Sequence, residues 1–262
     1  MKRDILLAGV GGQGTISIAA GMAQAALREE YSIKQAETHG MSQRGGAVVS
    51  HLRYSDEPIY SDLIEHGQAD LIVAIEPMEA LRYIDYLSPT GTVITNVTPV
   101  VNIADYPDLE KILQKLREIP RHTMLNADHL ARAAATAKAA NMVLLGAASP
   151  MLGLKTDWDA LLEQAWKSKG EKVVKANQLA FAYGRDCGLF YRQCVEKGMD
   201  PHHALVIASH VYPGADIDTH VQAWLDELAT DKGIDLVEML KQRRGVTTNL
   251  PAELEKELEP AR

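Results

Sequence analysis

Two short runs near the start of the chain hold the residue types best suited to chemistry. Gly9-Val10-Gly11-Gly12-Gln13-Gly14 has the G-x-G-x-x-G spacing. Glycines so placed permit a tight turn and let a ligand's phosphates approach the N-terminus of a following helix. Glu37 stands 23 residues beyond Gly14, where a dinucleotide site places the carboxylate that binds ribose hydroxyls. The second run, from His39 through Ser42-Gln43-Arg44-Gly45-Gly46, sets one guanidinium among glycines. Glycines free the backbone to turn its N–H groups outward, and the planar, permanently charged fork of Arg44 suits a carboxylate or phosphate. This is anion-binding chemistry.

Other reactive residue types are less organised. His39 and His51 do not share a metal-ligand spacing on one element and read as hydrogen-bonding residues. Cys187 and Cys194, seven positions apart, fit one helix and lack the paired C-x-x-C grouping of zinc or iron–sulfur sites. Two helix-borne thiols, in a core or on a surface, are expected, with no metal site on this chain. Asp70, Glu76 and Glu79 gather at a strand-to-helix junction, where the helix dipole favours acidic caps. Nucleophile-elbow, H-E-x-x-H, Walker and kinase signatures are absent from the sequence.

The elements that must position these runs follow from hydrophobic period and punctuation. Residues 4–10 read as a buried strand, 11–14 as a turn and 15–29 as a helix with Ile16, Ala19, Ala20, Ala23 and Leu27 on its apolar positions. A short strand over 32–37 follows. Residues 47–54 and 59–63, around the turn Ser55-Asp56-Glu57-Pro58, suggest a β-hairpin. Then come a strand at 71–75, a helix at 77–87, a turn at Pro89-Thr90-Gly91, and strands at 92–96 and 123–126. Helices are expected at 127–139, 142–152, 158–167, 171–197, 201–210, 218–230 and 234–242, with residues 251–262 frayed. The fold class is α/β: a Rossmann-like three-layer domain with a mostly parallel sheet and a β-hairpin insertion over 1–185, then an all-helical extension over 186–262. The missing crossover helix after Glu37 weakens the dinucleotide reading, because a parallel third strand needs one.

Composition narrows the partners. The chain has 262 residues, 46% hydrophobic and 24% charged, with a formal net charge of −8. That length supports one generous core, and the acidic balance gives no footprint for nucleic acid or an anionic membrane. The opening apolar run stops at glycines after seven residues, too short for a secretory signal. No run approaches the roughly 18 apolar residues of a membrane span, so a cytoplasmic location is expected.

Three stretches carry a resemblance: DILLAGVGGQGTISIAAGMAQAA, AETHGMSQRGGAVVSHLRYSDEPIYSDLI and ADLIVAIEPMEALRYIDYLSPTG, continued by NMVLLGA and KGEKVVKANQLAFAYG. Together they resemble the gamma-type small subunit or domain of the 2-oxoacid:ferredoxin oxidoreductases, most of all the indolepyruvate ferredoxin oxidoreductase beta subunit. The likeness covers about the first 185 residues, and the HGMSQRGG segment is its most specific part. It implies a complex that oxidatively decarboxylates a 2-oxoacid, here an aryl pyruvate such as indolepyruvate, to an acyl-CoA while passing electrons to ferredoxin. Thiamine diphosphate, Mg²⁺ and [4Fe-4S] clusters are then expected on a large partner subunit, with coenzyme A as co-substrate and this chain inactive alone. Read onto this sequence, Gly9, Gly11, Gly12, Gln13, Gly14, His39, Ser42, Gln43, Arg44, Gly45 and Gly46 line the interface or the approach of coenzyme A. The extension departs from the family pattern and reads as a helical arm that packs on a partner. Two other readings stand beside this one: a self-sufficient NAD- or FAD-binding oxidoreductase, and an assembly module whose glycine loops bind nothing.

Overall fold

The computed structural model describes residues 1–38, 46–101 and 103–258. In chain order these form β1 (Lys2–Val10), α1 (Thr15–Arg28), β2 (Ser32–Glu37), β3 (Ala47–Ser55), β4 (Ala69–Ala74), α2 (Pro77–Arg82) and β5 (Leu87–Asn96). Next are α3 (Leu109–Arg117), β6 (His122–Leu125), α4 (Ala127–Ala133), α5 (Ala140–Ala148) and α6 (Trp158–Trp166). The long α7 (Glu171–Glu196) leads into α8 (Pro201–His210), α9 (Ile217–Leu228), α10 (Asp231–Lys241) and α11 (Pro251–Leu258).

One mixed sheet has the order β2-β3-β1-β4-β5-β6. β1, β4, β5 and β6 are parallel, and β3 runs antiparallel between β1 and β2. β1 is buried from Asp4 to Val10, the continuous apolar pattern of a strand covered on both faces. Strand order advances one way from β4 to β6 and the other way from β1 to β2. Right-handed crossovers therefore put α2 and α3 on one face and α1 on the other. α2 packs with α3, α1 with α5, and α5 against α7, which completes three layers.

The structure corrects several boundaries. The hairpin arms are β2 and β3, not 47–54 with 59–63, and the latter residues form no strand. Arg53 explains why: its guanidinium donates to Ser61 O at 3.1 Å and Leu63 O at 2.8 Å, so a side chain occupies acceptors that a ladder would have used. Asp4, on the neighbouring strand, holds the same guanidinium at 2.7 Å. The helix expected to reach residue 87 stops at Arg82, and the residues read as a turn at Pro89-Thr90-Gly91 belong to β5. α3 was not legible as an element, although Asp108 caps Lys111 N and Ile112, Leu113 and Leu116 are buried at helical spacing. α4 ends early, ahead of Ala135 at φ 109°. α10 begins before Gly233, because Thr230 accepts from the Gly233 amide as an N-cap. Residues 251–258 are helical and anchored by the fully buried Leu254.

The helical residues after α7 pack on the α/β part itself. Asn126 N, just past edge strand β6, donates to Ser209 Oγ on α8 at 3.2 Å. Tyr212 OH donates to the buried Asp186 on α7 at 2.9 Å. A backbone bridge between Val211 and Thr247 ties the end of α8 to the segment before α11. α7 runs unbroken through position 185 and belongs to both parts.

Candidate functional site

The glycine turn sits where β1 delivers the chain to α1. Gln13 closes it from inside: Val10 N donates to Gln13 Oε1 at 2.7 Å and Gln13 N to Val10 O at 3.1 Å. The Gln13 amide also reaches Ile75 O at 3.4 Å, so it clasps the ends of β1 and β4. Gly14 is the N-cap of α1 at φ 93° and supplies no side-chain acceptor to the helix. A Cβ on Gly14 would lie 2.8 Å from Asn141 Nδ2, so the position needs glycine both for its backbone and for contact with α5. The orphan amides of the first turn of α1 thus remain available, with the positive end of the helix dipole behind them.

The second run joins this turn at its root. Gly11 N donates to Gly46 O at 2.8 Å, and Val10 stands opposite Ala47 in the β1–β3 ladder. At the other root, Thr38 N donates to Val49 O. The described chain therefore leaves the sheet at Thr38 and re-enters it at Gly46, beside the glycine turn. His39, Ser42, Gln43, Arg44 and Gly45 lie outside the described residues.

The carboxyl ends of β4 and β5 add a buried polar group that sequence reasoning took only as caps. Glu76 is fully buried; its carboxylate accepts from Glu79 N at 2.9 Å and from Tyr106 OH. Burial, with the Glu76 carboxylate beside it, pushes the Tyr106 phenol above its ordinary range. Burial also raises Glu79, against the pull of Arg82 at 3.1 Å. Asn96 bridges the strand ends: its amide donates to Ile75 O at 3.3 Å and Asp128 at 2.8 Å and accepts from Ala127 N at 3.0 Å. Capping holds for Glu76, but the same carboxylate also holds the 97–108 connection down through Tyr106. Nothing in the local sequence announces that pairing across 30 residues.

With this geometry in view, comparison with known proteins decides the family. The family model for pyruvate ferredoxin/flavodoxin oxidoreductase matches residues 4–187. The chain belongs to this family. Within the pyruvate ferredoxin/flavodoxin oxidoreductase family it is 36% identical, over 189 residues, to indolepyruvate oxidoreductase subunit IorB of Pyrococcus horikoshii, an alignment covering 69% of this chain and 93% of that one. The keto/oxoacid ferredoxin oxidoreductase gamma subunit of Geobacter sulfurreducens shares the fold at TM-score 0.53 and 24% identity, over 72% of this chain and 97% of that one. The 2-oxoglutarate:ferredoxin oxidoreductase of Magnetococcus marinus, solved with 2-oxoglutarate, coenzyme A and succinyl-CoA bound, shares it at TM-score 0.57 and 24% identity. There the match covers 70% of this chain and 30% of the longer one.

Of the expected site residues, the structure brings Gly9, Gly11, Gly12, Gln13, Gly14 and Gly46 together at the carboxyl end of β1. Glu37 does not join them as a dinucleotide site requires. β3 intervenes between β1 and β2, which places β2 about 10 Å from β1, two strand spacings away. His51 is buried, accepts from Ile64 N at 3.2 Å and has its pKa lowered by that burial, so it is a structural residue. Both cysteines are buried in α7, and burial pushes the Cys194 thiol up to about 12, unsuited to thiolate ligation. Among the described residues, no group of three or more His, Cys, Asp or Glu could hold a metal ion.

Proposed function

We propose that this chain is the small, non-redox subunit of a thiamine-diphosphate-dependent 2-oxoacid oxidoreductase that converts an aryl pyruvate such as indolepyruvate to an acyl-CoA, with ferredoxin as electron acceptor. The observation that carries the reading is the alignment with an indolepyruvate oxidoreductase subunit over 93% of that subunit's length. The protonated, buried thiols and the residues around them suit neither a cluster nor a magnesium–diphosphate site. The thiamine, Mg²⁺ and [4Fe-4S] clusters therefore belong in this reading to a large partner subunit, where they supply the decarboxylation and electron transfer. This chain supplies enclosure and anion recognition. In this reading an anionic group of coenzyme A is bound by the first-turn amides of α1 and by the permanently charged Arg44, and Gln13 keeps the turn shaped for it. Residues 186–262 pack against the partner, and the complex is cytoplasmic; no described helix is long and apolar enough to cross a membrane.

Purification from the native host tests the reading. A large co-purifying subunit containing iron, sulfide and thiamine is the expected result, whereas a lone chain that retains a dinucleotide would overturn it. In the assembled complex, Arg44→Ala should raise KM for coenzyme A about tenfold, the loss of one charge-assisted hydrogen bond. Unchanged kinetic constants with assembly intact would remove Arg44 from the role.

A further inference from the structure

At the opposite end of the sheet from the glycine turn lies a cavity of about 360 Å³ that the proposed function does not use. Strand register builds one wall. Ile5 stands opposite Leu71, and Leu71 opposite Thr92, so three adjacent parallel strands present these residues on one face. Arg3, two residues before Ile5, shares that face, where its antiparallel neighbour is Tyr54. The segment after α5 forms the far wall with Met151 and Gly153, and it is fixed there because Tyr54 OH donates to Leu152 O at 2.6 Å. The space stays open because the β4–β5 ladder breaks: Ala69 pairs with Leu87 and Leu71 with Thr92, so a short step on β4 faces a longer one on β5, and the excess chain bows away. Gly91 pins the bow, since a Cβ there would sit 2.6 Å from Ala69 O.

The lining is asymmetric in a way that selects a ligand. Arg3 Nε is buried without a hydrogen-bond partner, and among the described residues the guanidinium donates only to its neighbour's carbonyl, Lys2 O, at 3.5 Å. No carboxylate lies within ion-pair distance of Arg3 among the described residues, an uncommon state for a partly desolvated guanidinium. Asp70, also on the lining, is engaged by Asp4 N at 2.9 Å. With Asp70 engaged by a backbone amide and Arg3 without an ionic partner among the described residues, the lining suits a ligand with one carboxylate on Arg3 and, with the Asp70 carboxylate close by, disfavours a polyanion. Ile5, Leu71 and Met151 offer apolar contact to whatever carries that charge, in a volume at the small end of ligand pockets.

We propose that this cavity binds a small organic monocarboxylate with an apolar body, its carboxylate on the Arg3 fork and its body between the sheet and Met151. The site is separate from the glycine turn and does not depend on the reading of that turn. Isothermal titration of the full chain with phenylacetate as probe, and with 2-phenylethanol and inorganic phosphate as controls, tests it. Saturable phenylacetate binding of about millimolar strength or tighter is expected, weakened at least tenfold by Arg3→Met, with the weak binding of 2-phenylethanol unchanged by that substitution. Thr92→Leu, which fills the cavity from the sheet and leaves Arg3 in place, should weaken phenylacetate about tenfold or more and covers the case in which the Arg3 variant fails to fold; undiminished binding by a folded Thr92→Leu variant would overturn the proposal. No saturation by about 10 mM phenylacetate, equal binding to wild type and Arg3→Met, or phosphate binding as tightly as phenylacetate would each overturn the proposal.

Discussion

The α/β part and the helical part after α7 are built by different means. At the carboxyl edge of the sheet, backbone geometry does most of the shaping: Gly14 at φ 93°, the Gly11–Gly46 hydrogen bond and the Gln13 clasp determine where atoms can stand. In the helical part, side chains do it. Trp224 is fully buried, His129 and His210 face each other at 4.4 Å, and Ser209 accepts from the chain just past β6. The family match ends at residue 187, within the helix that both parts share. A surface shaped by backbone depends on a few glycines and tolerates little. A surface shaped by side chains gives way in graded steps.

The sharpest way to break the comparison is at the seam. A Cβ on Gly184 would fall far inside contact distance of Val143 O, and one on Gly146 equally close to Phe181 O, so α5 and α7 meet backbone to backbone. Gly184→Ala should leave no folded protein, or lower stability by about 3 kcal/mol or more, visible as lost soluble yield and a collapsed melting transition. Gly198 at φ 92° has open space around it. Gly198→Ala should cost only about 1 kcal/mol, and equal effects at the two sites would remove the distinction between close approach and turn.

Next in size is Trp224→Ala, expected to cost about 3–5 kcal/mol. Hydrogen exchange should then show α9 to α11 losing protection before β1 and β4 do. Simultaneous loss in both regions would mean that they form one cooperative unit.

Acid should loosen a second contact between the two parts, that of α4 with α8. Burial lowers the pKa of His129 and of His210, each also near an arginine, Arg132 and Arg243 respectively. A histidine whose folded pKa lies below its unfolded value of about 6.5 leaves the unfolded state binding more protons, so stability is whole above that pH and falls as pH drops through it. Melting temperature should decline between about pH 7 and pH 5, and the double variant His129→Gln with His210→Gln should flatten the slope. An unchanged slope would place the acid sensitivity elsewhere. The smallest effect is Ser209→Ala, about 1 kcal/mol for the hydroxyl that accepts from Asn126 N and donates to Leu205 O, measured by denaturant titration.

Legibility in the sequence followed the range of the interaction. α7 was read within one residue at either end because 26 residues of helical spacing sit between Gly170 and Gly198. α3 escaped although its cap and apolar spacing were present, because the charged residues between them hid a short pattern. The β2–β3 hairpin was assigned the wrong arm since Ile59–Leu63 carries strand-like residues. Only Arg53, arriving from β3, shows why those residues pair with a side chain and not with a strand. The structure sets the glycine turn beside Gly46, two runs the sequence singles out, whereas nothing in the sequence pointed to the Glu76–Tyr106 contact or the Arg3 cavity.

The sequence by itself determined the turn at Gly9–Gly14, the family and most of the strands and helices, α3 and the false strand at 59–63 excepted, because period, punctuation and a specific run are local properties of the chain. Tertiary structure alone decided that β3 separates β1 from β2 and so moves Glu37 away from a ribose site. It also decided that Glu76 holds Tyr106, that a break in the β4–β5 ladder leaves a guanidinium without an ionic partner over a cavity, and that α8 docks beside β6. Each of these depends on which distant segment a strand or a charge meets, and a linear pattern specifies what a residue can do without specifying its neighbour.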